Sequence, residues 1–358
     1  MANDVAGDAM PLRESALTPQ TVRAFLSDAN WNQVTRLGQP RPWRSVGMYL
    51  QVYAAILGAM LLEYWVDHVA FTVLAIVFIA GRQHSLYILN HDASHYGLFR
   101  SPRTNKVVAT LLSNLVMLHH PEAWSFVQWR RVHVFHHIHL FTDDDPNYVG
   151  RRMRGDLERR YTRWMLCRAC VKSGLTSIVQ LFVGKQDYVP PKGRETRKGH
   201  LNHLRALFCR FHGDAETETE RRIKLVFFAV ALASIAYFNA WRPFVLLWLL
   251  PMYTVYPMIL TLMDLTEHRW TEKTDDLNAN TRSVKPSVVL RLWISMLPRG
   301  MHREHHLYPR VVAADLPELG RILSSARFYQ PPTSFLGMLG ELDEQGKGTK
   351  LAAGARQA

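Results

Sequence analysis

Apolar residues along this chain fall into long blocks rather than into the alternating patterns of a water-soluble core. "MYLQVYAAILGAMLLEYWV" (48–66), "VAFTVLAIVFIAGRQHSLYIL" (69–89), "IKLVFFAVALASIAYF" (223–238) and "PFVLLWLLPMYTVYPMILTLM" (243–263) have the length and polarity of membrane-spanning helices. They predict an all-α membrane protein with four transmembrane helices at about 48–66, 69–89, 223–239 and 243–263. Arg82 and His84 sit near one end of the second block, where a long side chain can reach the interface. The connectors "VDH" (66–68) and "NAWR" (239–242) are so short that the spans must pair into two hairpins. The N-terminal segment, the middle of the chain and the C-terminal region then share one side of the membrane.

That side carries nearly all the Lys and Arg, including "RRMRGDLERRYTR" (151–163) and "KGRETRKGH" (192–200). The positive-inside rule makes it cytoplasmic, with both termini there, in a multi-pass protein. The expected organisation has three parts. Residues 1–45 form a cytoplasmic N-terminal segment whose stretch "TPQTVRAFLSDANWNQV" (18–34) reads as an interfacial helix. Residues 46–340 form the membrane domain, with cytoplasmic segments 90–222 and 264–340 building a helical cap, and 341–358 form a disordered tail. Within the first cytoplasmic segment, "VVATLLSNLVML" (107–118) is apolar but too short to span and reads as re-entrant or interfacial. A formal charge of +13 beside 48% hydrophobic residues fits a basic surface facing anionic headgroups better than one facing nucleic acid, and no nucleic-acid partner is expected. No secretory signal precedes the first span. The three cysteines, with one CxxC at Cys167 and Cys170 and no second pair, read as ordinary reduced thiols.

Seventeen histidines change the picture, because they cluster where the spans meet that side. "NHDASH" holds His91 and His95 at i, i+4. "RVHVFHHIH" holds His133, His136 and His137 at i, i+3, i+4, and "MHREHHLYPR" repeats that spacing with His302, His305 and His306. His268 follows the fourth span in "MDLTEH". One HxxHH arises by chance in a chain of this composition about 4% of the time, so two copies are poorly explained by coincidence. On a helix, each triple falls on one face within reach of a common point. Imidazole suits iron, copper, nickel and zinc, and nine candidate ligands suit two ions that keep open positions. Absence of cysteine from every cluster disfavours structural zinc, and no HExxH supports a zinc protease. A metal transporter would hold ligands near mid-membrane, and a bis-histidine haem protein would hold single opposed histidines inside the spans. A non-catalytic transporter or histidine-rich sensor remains the distant alternative.

The ordered set HxxxH, HxxHH, HxxHH between membrane hairpins resembles the integral-membrane fatty acid desaturase/hydroxylase superfamily over about 48–320. "NHDASHYGLFRS" is similar to its first box, "WRRVHVFHHIHLFTDDDPNY" to its second and "REHHLYPRVVAADLPEL" to its third. The resemblance implies a non-haem di-iron centre, with O2 as co-substrate, attacking an unactivated C–H bond. In that reading His91, His95, His133, His136, His137, His302, His305 and His306 bind iron, and His268 resembles the extra ligand some members place after the fourth span. Asp264 stands where relatives carry an Asn, joined to iron through water. Asp145, with Asp143 and Asp144, follows the second box where relatives have acidic residues, and could orient histidine N–H groups or form an exposed turn. His84, seven residues before His91, could line a substrate path or mark the interface. His139 breaks the spacing of its neighbours, and His119 and His120 before Pro121 read as a turn.

The expected substrate is a fatty acyl chain on a lipid, coenzyme A or carrier protein, and the expected reaction is desaturation. Hydroxylation or ketolation of a lipid, carotenoid or terpenoid is the alternative on the same scaffold. The chain has no haem-binding HPGG string, paired CxxC or dinucleotide glycine fingerprint, so a separate ferredoxin, rubredoxin or cytochrome b5 would supply electrons. His302 at the head of the third box argues against the front-end subgroup, which often has Gln there.

Overall fold

The computed structural model describes residues 16–117, 125–154, 161–183, 218–268, 274, 276–285, 287–295, 297, 300–326 and 328–342. The basic run 192–200, His119, His120, Cys209 and the tail from 343 onward lie outside the described residues. The described part is mostly helical: α1 (Pro19–Phe25), α2 (Asp28–Leu37), α3 (Pro42–Val66), α4 (Val69–Ser94), α5 (Pro102–Ala109), α6 (Phe126–Ile138), α7 (Pro146–Arg154), α8 (Arg163–Val183), α9 (Glu218–Tyr237), α10 (Trp241–Glu267), α11 (Leu277–Asn280), α12 (Val288–Trp293), α13 (His302–Leu307) and α14 (Leu316–Leu323). One pair of two-residue parallel strands, β1 (Val284–Lys285) and β2 (Thr333–Ser334), lies among them, and a further helical stretch covers 335–342.

Three of these helices, α3, α4 and α10, are long and apolar enough to cross a membrane. The expected third span forms a helix, α9, but Glu220, Arg221, Arg222 and Lys224 occupy its first two turns. Its uncharged remainder, 225–237, is about 20 Å long, short of a hydrocarbon core of about 30 Å. Both hairpin connectors are as short as the sequence indicates. Asp67 and Asn239 reverse the chain in left-handed backbone conformations that short polar side chains tolerate. Arg242 at the start of α10 donates to buried Glu63 and to Asp67, both at 3.0 Å, and so ties the first turn to the later helices.

Two long helices depart from the expected pattern in useful ways. α4 continues past the apolar block to Ser94, carrying His91 out on the same rod and ending at His95. Arg82 does not reach outward to the interface. It is buried, and its Nη2 donates to the carbonyls of Arg291 (3.3 Å) and Leu292 (2.8 Å) in the last turn of α12. A cation at the C-terminal end of a helix satisfies carbonyls that lack intrahelical partners. The second departure is α8, which packs along α10: Ser173 Oγ donates to the Pro257 carbonyl, and Gly174 lets the backbones meet at Thr254, where α10 breaks.

The stretch expected as one interfacial helix is two. Thr18 and Ser27 cap α1 and α2 separately, and Ser27 ends the first helical run. Their apolar residues Val22, Leu26 and Val34 are buried in the main core, and Trp31 packs against Tyr308 at 6.0 Å. The segment at 107–117 joins α5 to a π turn over Thr110–Asn114; Tyr49 reaches Ser113 at 3.0 Å and Tyr53 donates to the Leu112 carbonyl.

α12 lies so close to α4 that a Cβ on Gly81 would collide with the Trp293 carbonyl oxygen. Gly81→Ala should therefore destabilise the fold by about 2 kcal/mol, read as a lowered melting temperature in detergent. Gly58→Ala, whose Cβ meets nothing within 4 Å, should leave melting unchanged or slightly raised.

Candidate metal centre

The far end of α4 is held against α6 by Arg130, whose Nε donates to the Ser94 carbonyl at 2.7 Å. α6 itself starts at a reciprocal cap: the Ser125 hydroxyl accepts the Gln128 N–H, and Gln128 Oε1 accepts the Ser125 N–H. α13 is fixed from outside. Arg303 donates to the Gln330 carbonyl, while Glu304 accepts the hydroxyls of Ser283 and Tyr329. The extended segment 281–285 ties the remaining piece: Thr281 bridges His268, Ser283 bridges Met301, and the Arg282 N–H donates to the Glu267 carbonyl.

These supports bring nine histidines into two groups, each with its ligand nitrogens within 4.8 Å of one another. His91, His95, His133, His137 and His305 form the first group; His136, His268, His302 and His306 form the second. Each HxxHH triple is thus divided instead of converging on one point. α6 gives His133 and His137 to the first group and His136 to the second, while α13 gives His305 to the first and His302 and His306 to the second. Residues i and i+4 point nearly the same way on a helix, and i+3 is rotated from both by enough to address a neighbouring site.

Within the first group Nε2 atoms stand at 2.8 Å (His95–His133), 3.1 Å (His133–His137) and 3.0 Å (His137–His305). In the second they stand at 3.2 Å (His136–His268), 2.8 Å (His268–His302) and 3.1 Å (His302–His306). Burial, followed by the neighbouring imidazoles, pushes His133, His137, His305 and His306 well below the usual histidine value, and burial followed by the nearby Arg130 charge takes His95 down to about 3. Neutral rings follow. Each neutral ring carries one N–H and one lone pair, and carboxylates decide which nitrogen keeps the proton. His136 Nδ1 lies 3.0 Å from Asp145, His302 Nδ1 lies 3.5 Å from Glu267, and His91 Nδ1 lies 3.5 Å from Asp92. Where Nδ1 holds a proton toward its carboxylate, the lone pair lies on the opposite nitrogen, and for His136 and His302 that Nε2 faces the interior of the group. Lone pairs converging from buried neutral rings match the donor set of a metal cation.

The other sequence candidates separate cleanly. Asp145 is fully buried, stands 3.0 Å from His136 Nδ1 and also accepts the N–H groups of Phe141 and Asn147. Asp143 instead pairs with Arg152 at the surface. Asp264 belongs to neither group; it is half-exposed and paired with buried Arg151. His84 also stands apart, buried beside a narrow, mostly apolar cavity of about 40 Å³ that Met263, Ile294, Leu297, Met338 and Glu267 help to line. His139 caps α6 and packs on Phe135. Sequence reasoning missed Asp92 and Glu267, whereas Trp129, which flanks the second cluster in the sequence, can be read there as a wall of the site or as an interfacial anchor. The two acids each adjoin a clustered histidine in sequence, which is a usable signal. Trp129 lies four residues before His133, one helical turn away, and stacks on its ring at 5.2 Å.

A larger cavity of about 430 Å³ reaches both groups, with His133, His136, His268 and His302 in its wall and Leu260 and Asp264 contributed by α10. No curated protein matches the chain at a significant level. The family model for fatty acid desaturases matches residues 67–335, which contains every one of the nine histidines and most of the chain. The protein belongs to the fatty acid desaturase family, within the membrane fatty acid desaturase/hydroxylase superfamily.

Proposed function

We propose that the two histidine groups hold two iron ions and that the protein desaturates a fatty acyl chain with O2. The observation that carries this is the pair of buried, all-imidazole groups opening onto one cavity. Donor sets of five and four nitrogens without a thiolate differ from the cysteine-containing sites of structural zinc, and they suit ions of higher coordination number that retain open positions. Iron bound there would supply the redox chemistry that activates O2 against an unactivated C–H bond.

The chain's own residues supply position and protection. Asp145, Glu267 and Asp92 keep the Nδ1 protons of His136, His302 and His91, so the opposite nitrogens stay available as donors. Trp129 against His133 and Phe141 at 6.0 Å from His268 close off two sides of the groups. The 430 Å³ cavity has the size of a small-molecule site, and its α10 wall lets an apolar chain approach from the bilayer. Asp264 and Arg151 in that wall act as a charged pair at the cavity edge and not as iron ligands. In this reading α9 is the fourth crossing: its uncharged stretch is short, but Arg221, Arg222 and Lys224 can extend their charges to the interface, and Leu225, Val226, Val230 and Leu232 are exposed as lipid contacts. Both termini and the histidine groups then lie on the cytoplasmic side, and electrons come from a separate small donor protein.

Lipids from cells expressing the wild type beside His305→Ala provide the test of reaction. A product two mass units lighter, present only with wild type, is expected. A product carrying one added oxygen would replace desaturation by hydroxylation, and identical profiles in a host supplied with donor would overturn the oxygenase reading. Metal analysis of purified protein should return two irons per chain. His305→Ala and His268→Ala should each lose half of that or more, although they address different groups. Asp145→Asn, which keeps the shape but weakens the hold on the His136 Nδ1 proton, should lower iron retention against a chelator by roughly tenfold or more.

A further inference from the structure

A second large cavity lies away from the histidines, between the first turns of α3, the middle of α4 and α12. It measures about 620 Å³, and its wall contains Arg44, Gln51, Arg82 and Arg291 together with Met48, Val288 and Leu292. Its described lining contains three guanidinium groups and no carboxylate. Asp315, next to the lining residue Ala314, is engaged by both Arg41 and Arg44, so a single acid answers two cations there. Arg82 is the distinctive member. Only 1% of it is exposed, its Nη2 is committed to the carbonyls of α12, and the guanidinium lies 4.4 Å over the Phe78 ring. Its Nε is buried with no hydrogen-bond partner. No described carboxylate pairs with this guanidinium, so its positive charge stands uncompensated in the cleft wall, where it attracts an oxyanion.

We propose that this cleft seats the phosphate of an anionic membrane phospholipid. Arginine's planar fork favours phosphate, and three such groups around one cavity exceed what a zwitterionic headgroup, which brings its own cation, would call for. The surroundings point to a lipid and not to a free ion. Val288 is 82% exposed and Leu292 51%, both in the cleft wall, and Leu50 on the neighbouring turn of α3 is 65% exposed. These apolar side chains, beside a helix long enough to cross the membrane, offer a surface to acyl chains that inorganic phosphate could not use. Leu297 lines both this cleft and the narrow cavity beside His84 and Glu267. A lipid held here would brace the 288–297 segment without entering the histidine site, and the assignment does not depend on which reaction that site performs.

The test is native mass spectrometry of the full-length, metal-loaded protein in neutral detergent, titrated with phosphatidylglycerol or with phosphatidylcholine of the same acyl chains. Wild type is expected to retain one phosphatidylglycerol with about tenfold preference. Arg291→Gln, a change at an exposed residue, should reduce that preference several-fold while iron content stays at the wild-type value. Arg82→Gln should abolish it, and Arg291→Gln keeps the test decisive if the buried substitution prevents folding. Equal retention of the two lipids, or an unchanged preference in Arg291→Gln, would overturn the proposal. Displacement of the lipid by inorganic phosphate at comparable concentration would assign the cleft to a free ion and overturn the lipid assignment.

Discussion

Nine imidazoles cannot be packed together in a protein interior unless something dictates where their protons go. The structure answers with carboxylates placed behind the rings. Asp145 serves His136, Glu267 lies behind His302 and Asp92 behind His91. Each acid is in turn fixed by backbone: Asp145 by the Phe141 and Asn147 N–H groups, and Asp92 by that of Ala313. Glu267 is placed by the bond from Arg282 to its carbonyl. Much of the fold outside the spans can be understood as holding these acids, and the helices that carry the rings, at fixed separations. The short strands, the bridges at 281 and 283 and the Glu304–Ser283–Tyr329 cluster stand outside the groups, yet they hold α13 in its orientation.

How much of this could be read from the chain alone depended on whether the signal was local. Histidine spacing is local, and all eight residues singled out by it are in the two groups, together with His268, which its place after the last span singled out. Their division between groups was not legible. It arises from the angle at which α6 and α13 face each other, which no single-helix pattern contains. Asp145 was visible as part of an acidic turn, yet only the fold separates it from Asp143, which turns outward to Arg152. Asp264 lies outside both groups, and its place in the sequence does not reveal that its carboxylate pairs with Arg151, more than a hundred positions away.

The spans repeat the lesson. Block hydrophobicity located α3, α4 and α10, because a run of that length has few other uses. It also located the helix of α9, but the charges at its start leave the remainder too short to pass the same test. Arg82 looked like a residue at a helix end; it is buried in mid-helix because α12, distant in sequence, presents carbonyls to it. α8 left no block signature, since its apolar residues are interrupted by Arg168 and Lys172, and its partner surface is the break at Thr254 in α10.

The sharing of α6 and α13 between the two groups has an evolutionary consequence. Inserting or deleting one residue inside either helix turns everything beyond it by about 100°. Where each group owned its own helix, such a slip would cost one group and leave the other as a foothold for recovery. Here it would misdirect donors of both groups at once. Loops around the histidines are free to lengthen, and the cavity walls are free to be resculpted for new chains, but the intervals within 133–137 and 302–306 can change only by abandoning the whole centre.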